Sequence, residues 1–233
     1  MHFTPTIEPQ IALIAPGFRG LSIVAESPSR AHESVADHML ENAIAAVWNG
    51  EPAWAEAHLE AWREVFRRFG AKAQRTPCSA EALRKRVLRE GSLPRIHPVV
   101  DLYNAISLSF AVPVGGENLA AYVGTPRLVV ATGTEAFDTI RDGQPAEEHP
   151  EAGEVVWRDD HGVTCRRWNW RQGVRTRLDS EARQMWFILE SLPQMPLAAL
   201  HQAGDELAGG LHAMMPNASM EITLIRPPEA GTA

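Results

Sequence analysis

The spacing of apolar residues changes period along this chain, and neither an all-helical nor an all-strand architecture accommodates that change. From Ser29 onward Ala31, Val35, Met39, Ala43 and Val47 form one helical stripe, with Ser29 as the expected N-cap and Asn49-Gly50 as the stop. Upstream, residues 11–14 and 21–25 are short apolar runs split by Pro16 and Gly17, which predicts two strands and a turn. A second helix is expected over about 52–70, burying Leu59, Trp62, Phe66 and Phe69. A third should start at Ser79, use Leu83, Val87 and Leu88, and end at Gly91. "PVVDLYNAISLSF" then opens with Pro98 at a favourable first helical position and carries the stripe Val99, Tyr103, Ile106 and Phe110. In that helix Asp101 and Asn104 share a face.

Further along, "PVGGEN" reads as a loop, "RLVVA" from Arg127 as a strand, and "AEEHPEAGE" as an acidic loop. "EVVWRDDHGVTCRRW" is expected to be a β-hairpin turning at 159–162. Helices over about 180–192 and 197–214 and an alternating last strand, "MEITLI", complete the pattern. With no repeat, low-complexity tract or linker, the expectation is one α+β domain over 1–233, mixed sheets flanked by helices. Residues 1–91 supply N-terminal strands and basic helices, and 92–233 the motif-bearing part.

The formal charge of −7 conceals two basic patches. Between Arg63 and Arg95 ten Lys or Arg face three glutamates, and between Arg166 and Arg177 five arginines face no acid. An acidic body with localised cation suits a ligand whose anionic part lands in one place, such as a phosphate backbone. The alternative puts the first patch on the solvated side of two helices. Cys78 and Cys165 stand far apart without metal-ligand spacing, so neither a disulfide framework nor a zinc site is expected, and both read as reduced thiols. No apolar run reaches membrane-spanning length and "MHFTPTIEPQ" is unlike a signal peptide, so the expected compartment is the cytoplasm. The glycine-rich phosphate loop, the dinucleotide fingerprint, His-Glu-x-x-His and Gly-x-Ser-x-Gly are all missing, which argues against those chemistries.

"CRRWNWRQ" concentrates chemistry. If extended, it turns Cys165, Arg167, Asn169 and Arg171 to one side and Arg166, Trp168 and Trp170 to the other. Guanidinium forks suit phosphate or carboxylate, and indoles supply stacking surface. The competing reading makes the tryptophans core and the arginines surface. Cys165 reads either as a thiol activated by arginines or as a core strand cysteine, and His97 either as a base or as a structural residue beside Pro98.

"RIHPVVDLYNAISLSFAVPVGGENL" resembles the segment of the phenylalanyl-tRNA synthetase β subunit in which Val-Val-Asp-x-x-Asn opens a helix, with Asn104, Leu108 and Pro113 in the matching order. The chain as a whole resembles a free-standing version of that subunit's B3/4 editing domain, best over 92–124 and 154–192. The Cys-Arg-Arg-Trp-Asn-Trp-Arg stretch is similar to the free-standing proteins and unlike the synthetase, which is glycine-rich there. The resemblance implies hydrolysis, in trans, of the ester joining a wrong amino acid to the terminal adenosine of a tRNA. It matches Asn104 to the pocket asparagine, and it sets Tyr103 where the synthetase has threonine and Gly115 where its loop carries histidine.

The expected catalytic residues are Asn104, Arg167 and Asn169. Asp101, Tyr103, Gly115, Gly116, Glu117, Arg166, Trp168, Trp170 and Arg171 are expected to bind substrate, and Arg84, Lys85, Arg89 and Arg95 the tRNA. No metal, cofactor, DNA or membrane partner is expected. A tRNA- or RNA-binding module without catalysis, and a small-molecule hydrolase or amino-acid-binding protein, remain as alternatives.

Overall fold

In the computed structural model, residues 3–29, 31 and 34–228 are described. Among the described residues two sheets and six α-helices make an α+β fold. The smaller sheet has the order β11 (Ser219–Ile225), β2 (Arg19–Glu26), β10 (Gln184–Ser191), β3 (Val114–Asn118), antiparallel throughout. The larger is mixed: β1 (Thr6–Ile7), β4 (Arg127–Val130), β7 (Val155–Arg158), β8 (Val163–Arg166), β5 (Phe137–Arg141) and β6 (Gln144–Glu148), with β9 (Arg171–Gln172) also pairing β8.

The strand β10 organises the interior because both of its faces are covered. Met185, Phe187 and Leu189 pack with Leu102 and Ile106 of α5 (Pro98–Phe110) and Leu207 and Leu211 of α6 (Leu197–Met214). Trp186 and Ile188 point the other way, into a second core with Trp157 of the larger sheet and Trp168 just beyond β8. A strand buried on two sides reads as a continuous apolar run, so "MWFIL" lacks the alternation that marks a half-exposed strand. That is why the helix expected over 180–192 is instead a central strand.

Other expectations also change. Ile11–Ile14 is a short helix, α1, rather than a strand, because Ile11, Ala12 and Leu13 close three-residue turns onto Glu8, Pro9 and Gln10. "PVGGEN" supplies β3, paired antiparallel to β10, and part of the acidic loop is β6. Helix α2 (Ser34–Trp48) carries the Val35, Met39, Ala43 and Val47 stripe but starts beyond Ser29, whose N–H bonds the Ser27 hydroxyl. Arg30, His32 and Glu33 lie outside the described residues. The other helices fall close to their expected bounds: α3 (Ala55–Arg68), α4 (Ser79–Glu90) closed by Gly91 at φ 77°, and α5 with Pro98 first and the His97 ring accepting the Val99 N–H.

His58 of α3 fastens two chain reversals in the interior. Its Nδ1 lies 2.8 Å from the Ala111 carbonyl and its Nε2 accepts the Leu192 N–H at 3.0 Å, which fixes the neutral tautomer protonated on Nδ1. Burial lowers its pKa to about 4. The unfolded chain takes up this proton near 6.5, so the stability that neutral His58 provides is complete above that pH and is lost as pH falls through 4. His58→Asn is therefore less stable at pH 7, and its denaturant midpoint converges on the wild-type value between pH 6.5 and 4. A constant difference across that range rules out this role.

Candidate functional site

The two sheets enclose a cavity of about 260 Å³, closed on one side by α4 and α5. Register decides what enters it. In β3 Glu117 lies opposite Trp186 and Gly115 opposite Ile188, so both face the same space as Glu190, while Gly116 turns towards α5. A Cβ on Gly116 would stand 2.8 Å from the Tyr103 ring, so only glycine lets that ring lie across the strand. Asn104, one residue along α5, reaches the cavity with a side-chain amide that has no hydrogen-bond partner among the described residues.

The opposite wall comes from a reversal that extended geometry does not describe. After β8 the chain turns back through 167–170 into β9, with Arg166 paired to Arg171 across the turn. Arg167 and Trp168 adopt φ of 46° and 65°, left-handed values that cost roughly 1–3 kcal/mol each for residues bearing a Cβ. Packing holds them there. The Trp168 indole is fully buried, 5.3 Å from Trp62 and 5.0 Å from Phe18 between ring centroids, and the backbone N–H of Trp168 bonds the Val155 carbonyl. The turn swings Asn169 inward and Arg167 outward.

Glu190 is the polar hub of this wall. Its Oε1 accepts the indole N–H groups of Trp157 at 2.8 Å and Trp168 at 2.9 Å, and its Oε2 accepts Asn169 Nδ2 at 2.9 Å. Burial raises its carboxyl to about 7 against the pull of those three donors. Because Nδ2 is committed, Asn169 Oδ1 is left buried without a partner. Glu117 is a second such group: its Oε2 is buried and unpartnered, and burial raises its carboxyl to about 8 against the pull of the nearby Gln172 and Thr164 side chains. Two unmatched buried oxygens in one cavity call for a ligand that hydrogen-bonds to them, Asn169 Oδ1 as an acceptor at any pH and Glu117 Oε2 as an acceptor once its carboxyl is ionised. The indoles of Trp157, Trp168, Trp170 and Trp186 surround them.

Of the residues expected at a site, Tyr103, Asn104, Gly115, Gly116, Glu117, Trp168, Asn169, Trp170 and Arg171 line this cavity together. Arg171 is held by Thr139 and lies 3.6 Å from Glu148. Four expectations change. Arg167 lies outside the cavity, its guanidinium 4.6 Å over the outer side of Trp170, because the left-handed turn breaks strand alternation. Arg166 is buried in a two-pronged pair with Glu154 at 3.0 and 2.8 Å, which occupies its fork. Asp101 accepts the Ile96 N–H and so ties down the chain entering α5. Arg84 is buried, donating to the Leu108 carbonyl where α5 ends, and presents no charge to a polyanion.

Lys85, Arg89 and Arg95 are exposed but paired with Glu81, Glu90 and Asp37. His97 serves as the cap of α5. Cys165 lines the cavity, yet burial and the nearby Glu117 and Glu190 push its thiol well above the usual range, the reverse of an activated nucleophile. Glu190 was missing from the expected set. Its signal was a single acid inside an apolar run, "FILES", since a lone carboxylate is seldom buried without a purpose.

Among the described residues no group of three or more His, Cys, Asp or Glu stands where it could hold a metal, and no helix is long and apolar enough to cross a membrane. Comparison with solved structures finds an N-terminal fragment of the phenylalanyl-tRNA synthetase beta subunit from Pyrococcus horikoshii, at a TM-score of 0.52 and 10% identity. The alignment covers 94% of this chain and 50% of the fragment, so the chain spans about half of the neighbour and shares its fold. No curated protein matches the sequence. The B3/4 domain profile matches residues 61–201, which contain α4, α5, β3, the 167–170 turn and β10. Since this match spans more than half of the sequence, the chain belongs to the B3/4 domain family.

Proposed function

We propose that this protein is an aminoacyl-tRNA deacylase, hydrolysing in trans the ester between an amino acid and the terminal adenosine of a tRNA. It works as a single domain over 1–233, in the cytoplasm where tRNAs are charged. The observation that carries the reading is the pair of buried, unpartnered acceptors, Glu117 Oε2 and Asn169 Oδ1, beside the free amide of Asn104. An aminoacyl ester brings the matching donors, since its α-ammonium group and the attacking water both donate. The indole walls favour the cation further.

An aminoacyl ester is already activated, so positioning and charge stabilisation carry the reaction. The Glu117 carboxylate accepts a proton from water as the water oxygen bonds the ester carbonyl carbon. The Asn104 amide donates to the oxygen on which negative charge grows. The carbon–oxygen bond to ribose then breaks, and the ribose oxygen takes up the proton. Asn169 Oδ1 holds the ammonium group. A panel of mischarged tRNAs tests the reading: wild type deacylates at least one of them, and Asn104→Ala slows that reaction roughly a hundredfold, the scale of one lost oxyanion donor. Failure on every substrate in the panel, or an Asn104→Ala variant as fast as wild type, overturns it.

A further inference from the structure

Ion pairing sorts the basic residues between Arg63 and Arg95 into two kinds. Arg63, Arg67 and Arg68 are bound to the glutamates of α3, and Lys85, Arg86 and Arg89 to those of α4. Arg95 meets Asp37, and Arg84 is buried against a carbonyl. Lys72 and Arg75 differ: among the described residues neither side chain has an ion pair or hydrogen bond. Both open onto one cleft of about 450 Å³, and Arg167 opens onto it too.

The cleft also holds two carboxylates, which offset part of this charge. Glu154 is already bound by Arg166 on both oxygens and lies 3.8 Å from Arg167, while Glu151 is exposed. The strained turn links this cleft to the candidate site. Its Arg167 guanidinium lies over Trp170, and Trp170 lines the cavity that holds Asn104 and Glu117. Trp170 is thus a wall shared between a cationic cleft and an apolar, acceptor-rich chamber.

We propose that the cleft of Lys72, Arg75 and Arg167 binds phosphates of a single-stranded RNA end, laying its last nucleotide across Trp170 at the mouth of the chamber. The unpaired Lys72 and Arg75 suit a polyanion because binding there releases counterions without first breaking an internal salt bridge, whereas Arg167 shares its charge with Glu154. The proposal rests on the deacylase reading for its choice of ligand and is tested separately from it. The probe is an uncharged acceptor-stem minihelix ending in single-stranded CCA, with a blunt minihelix as the second arm. Lys72→Ala/Arg75→Ala is expected to weaken binding of the overhang form at least tenfold. It should also make the dependence of log affinity on log salt shallower by about 1.4, at roughly 0.7 per lost single-strand contact. The blunt form should bind the wild type as weakly as the double variant binds the overhang form.

A folded double variant, with unchanged melting temperature, that keeps wild-type affinity and salt slope overturns the proposal. Equal binding of both minihelices by wild type, or binding of neither, overturns it as well. Wild type that binds through these residues yet deacylates nothing leaves the cleft assigned and removes the catalytic reading. Deacylation with an unaltered double variant does the reverse.

Discussion

Glu190→Ala is expected to lower the stability of the protein by about 3–5 kcal/mol. Three buried donors, the Trp157 and Trp168 indoles and the Asn169 amide, lose their acceptor at once, and each stranded donor costs roughly 1–3 kcal/mol. The loss appears as a drop in denaturant midpoint with little change in slope. Glu190→Gln separates support from chemistry. Its retained oxygen still serves both indoles, but a second amide then faces Asn169 Nδ2, donor against donor. The Asn169 amide must rotate, which withdraws Oδ1 from the cavity. Near-native stability with hydrolysis lost is the expected result for Gln, and an Ala variant as stable as wild type would show that the hub supports nothing.

Glu117→Gln is expected to cut kcat/KM by roughly 10²–10⁴, the range of a lost general base. The wild-type rate should climb with pH towards about 8 and level off, since burial holds the carboxyl protonated below that point, while the variant stays flat. Stability moves in the opposite sense. A carboxyl raised from 4.5 to about 8 favours the fold while protonated, so its contribution is complete below 4.5 and disappears as pH rises through 8. Glu117→Gln, always neutral, lacks that decline and gains on wild type as pH rises. Equal rates for variant and wild type at pH 8 would remove Glu117 from the chemistry.

Where sequence and structure agree, short-range chemistry dictates the outcome. Ser79 and Gly91 bound α4, Pro98 opens α5, and the turn at 159–162 joins β7 and β8, all from residues adjacent in sequence. The meeting of Asn104 and Asn169 was likewise legible, because polar residues within apolar elements have to face something polar. What escaped depends on distant partners. Nothing local distinguishes β10 from a helix, since its alternation is erased by cores on both faces. The inward and outward placing of Asn169 and Arg167 follows from Trp168 anchoring among Phe18 and Trp62, more than a hundred residues away in sequence. Arg84 read as surface because a guanidinium in a basic helix usually is, and the carbonyl that captures it belongs to the end of α5.

Gly115 separates capacity from architecture. A Cβ there meets only the Ile188 methyl, at 3.5 Å, an ordinary contact, whereas a Cβ on neighbouring Gly116 collides with an aromatic ring. One position of β3 is therefore locked and the next is adjustable, and the adjustable one points into the chamber. Each carbon added at Gly115 removes volume from the space an acyl group would fill, while the strand, its register and the Glu190 hub stay as they are. The size of the accepted substrate can thus drift by single substitutions at negligible folding cost, so that relatives sharing this scaffold can be graded by what stands at this one α-carbon.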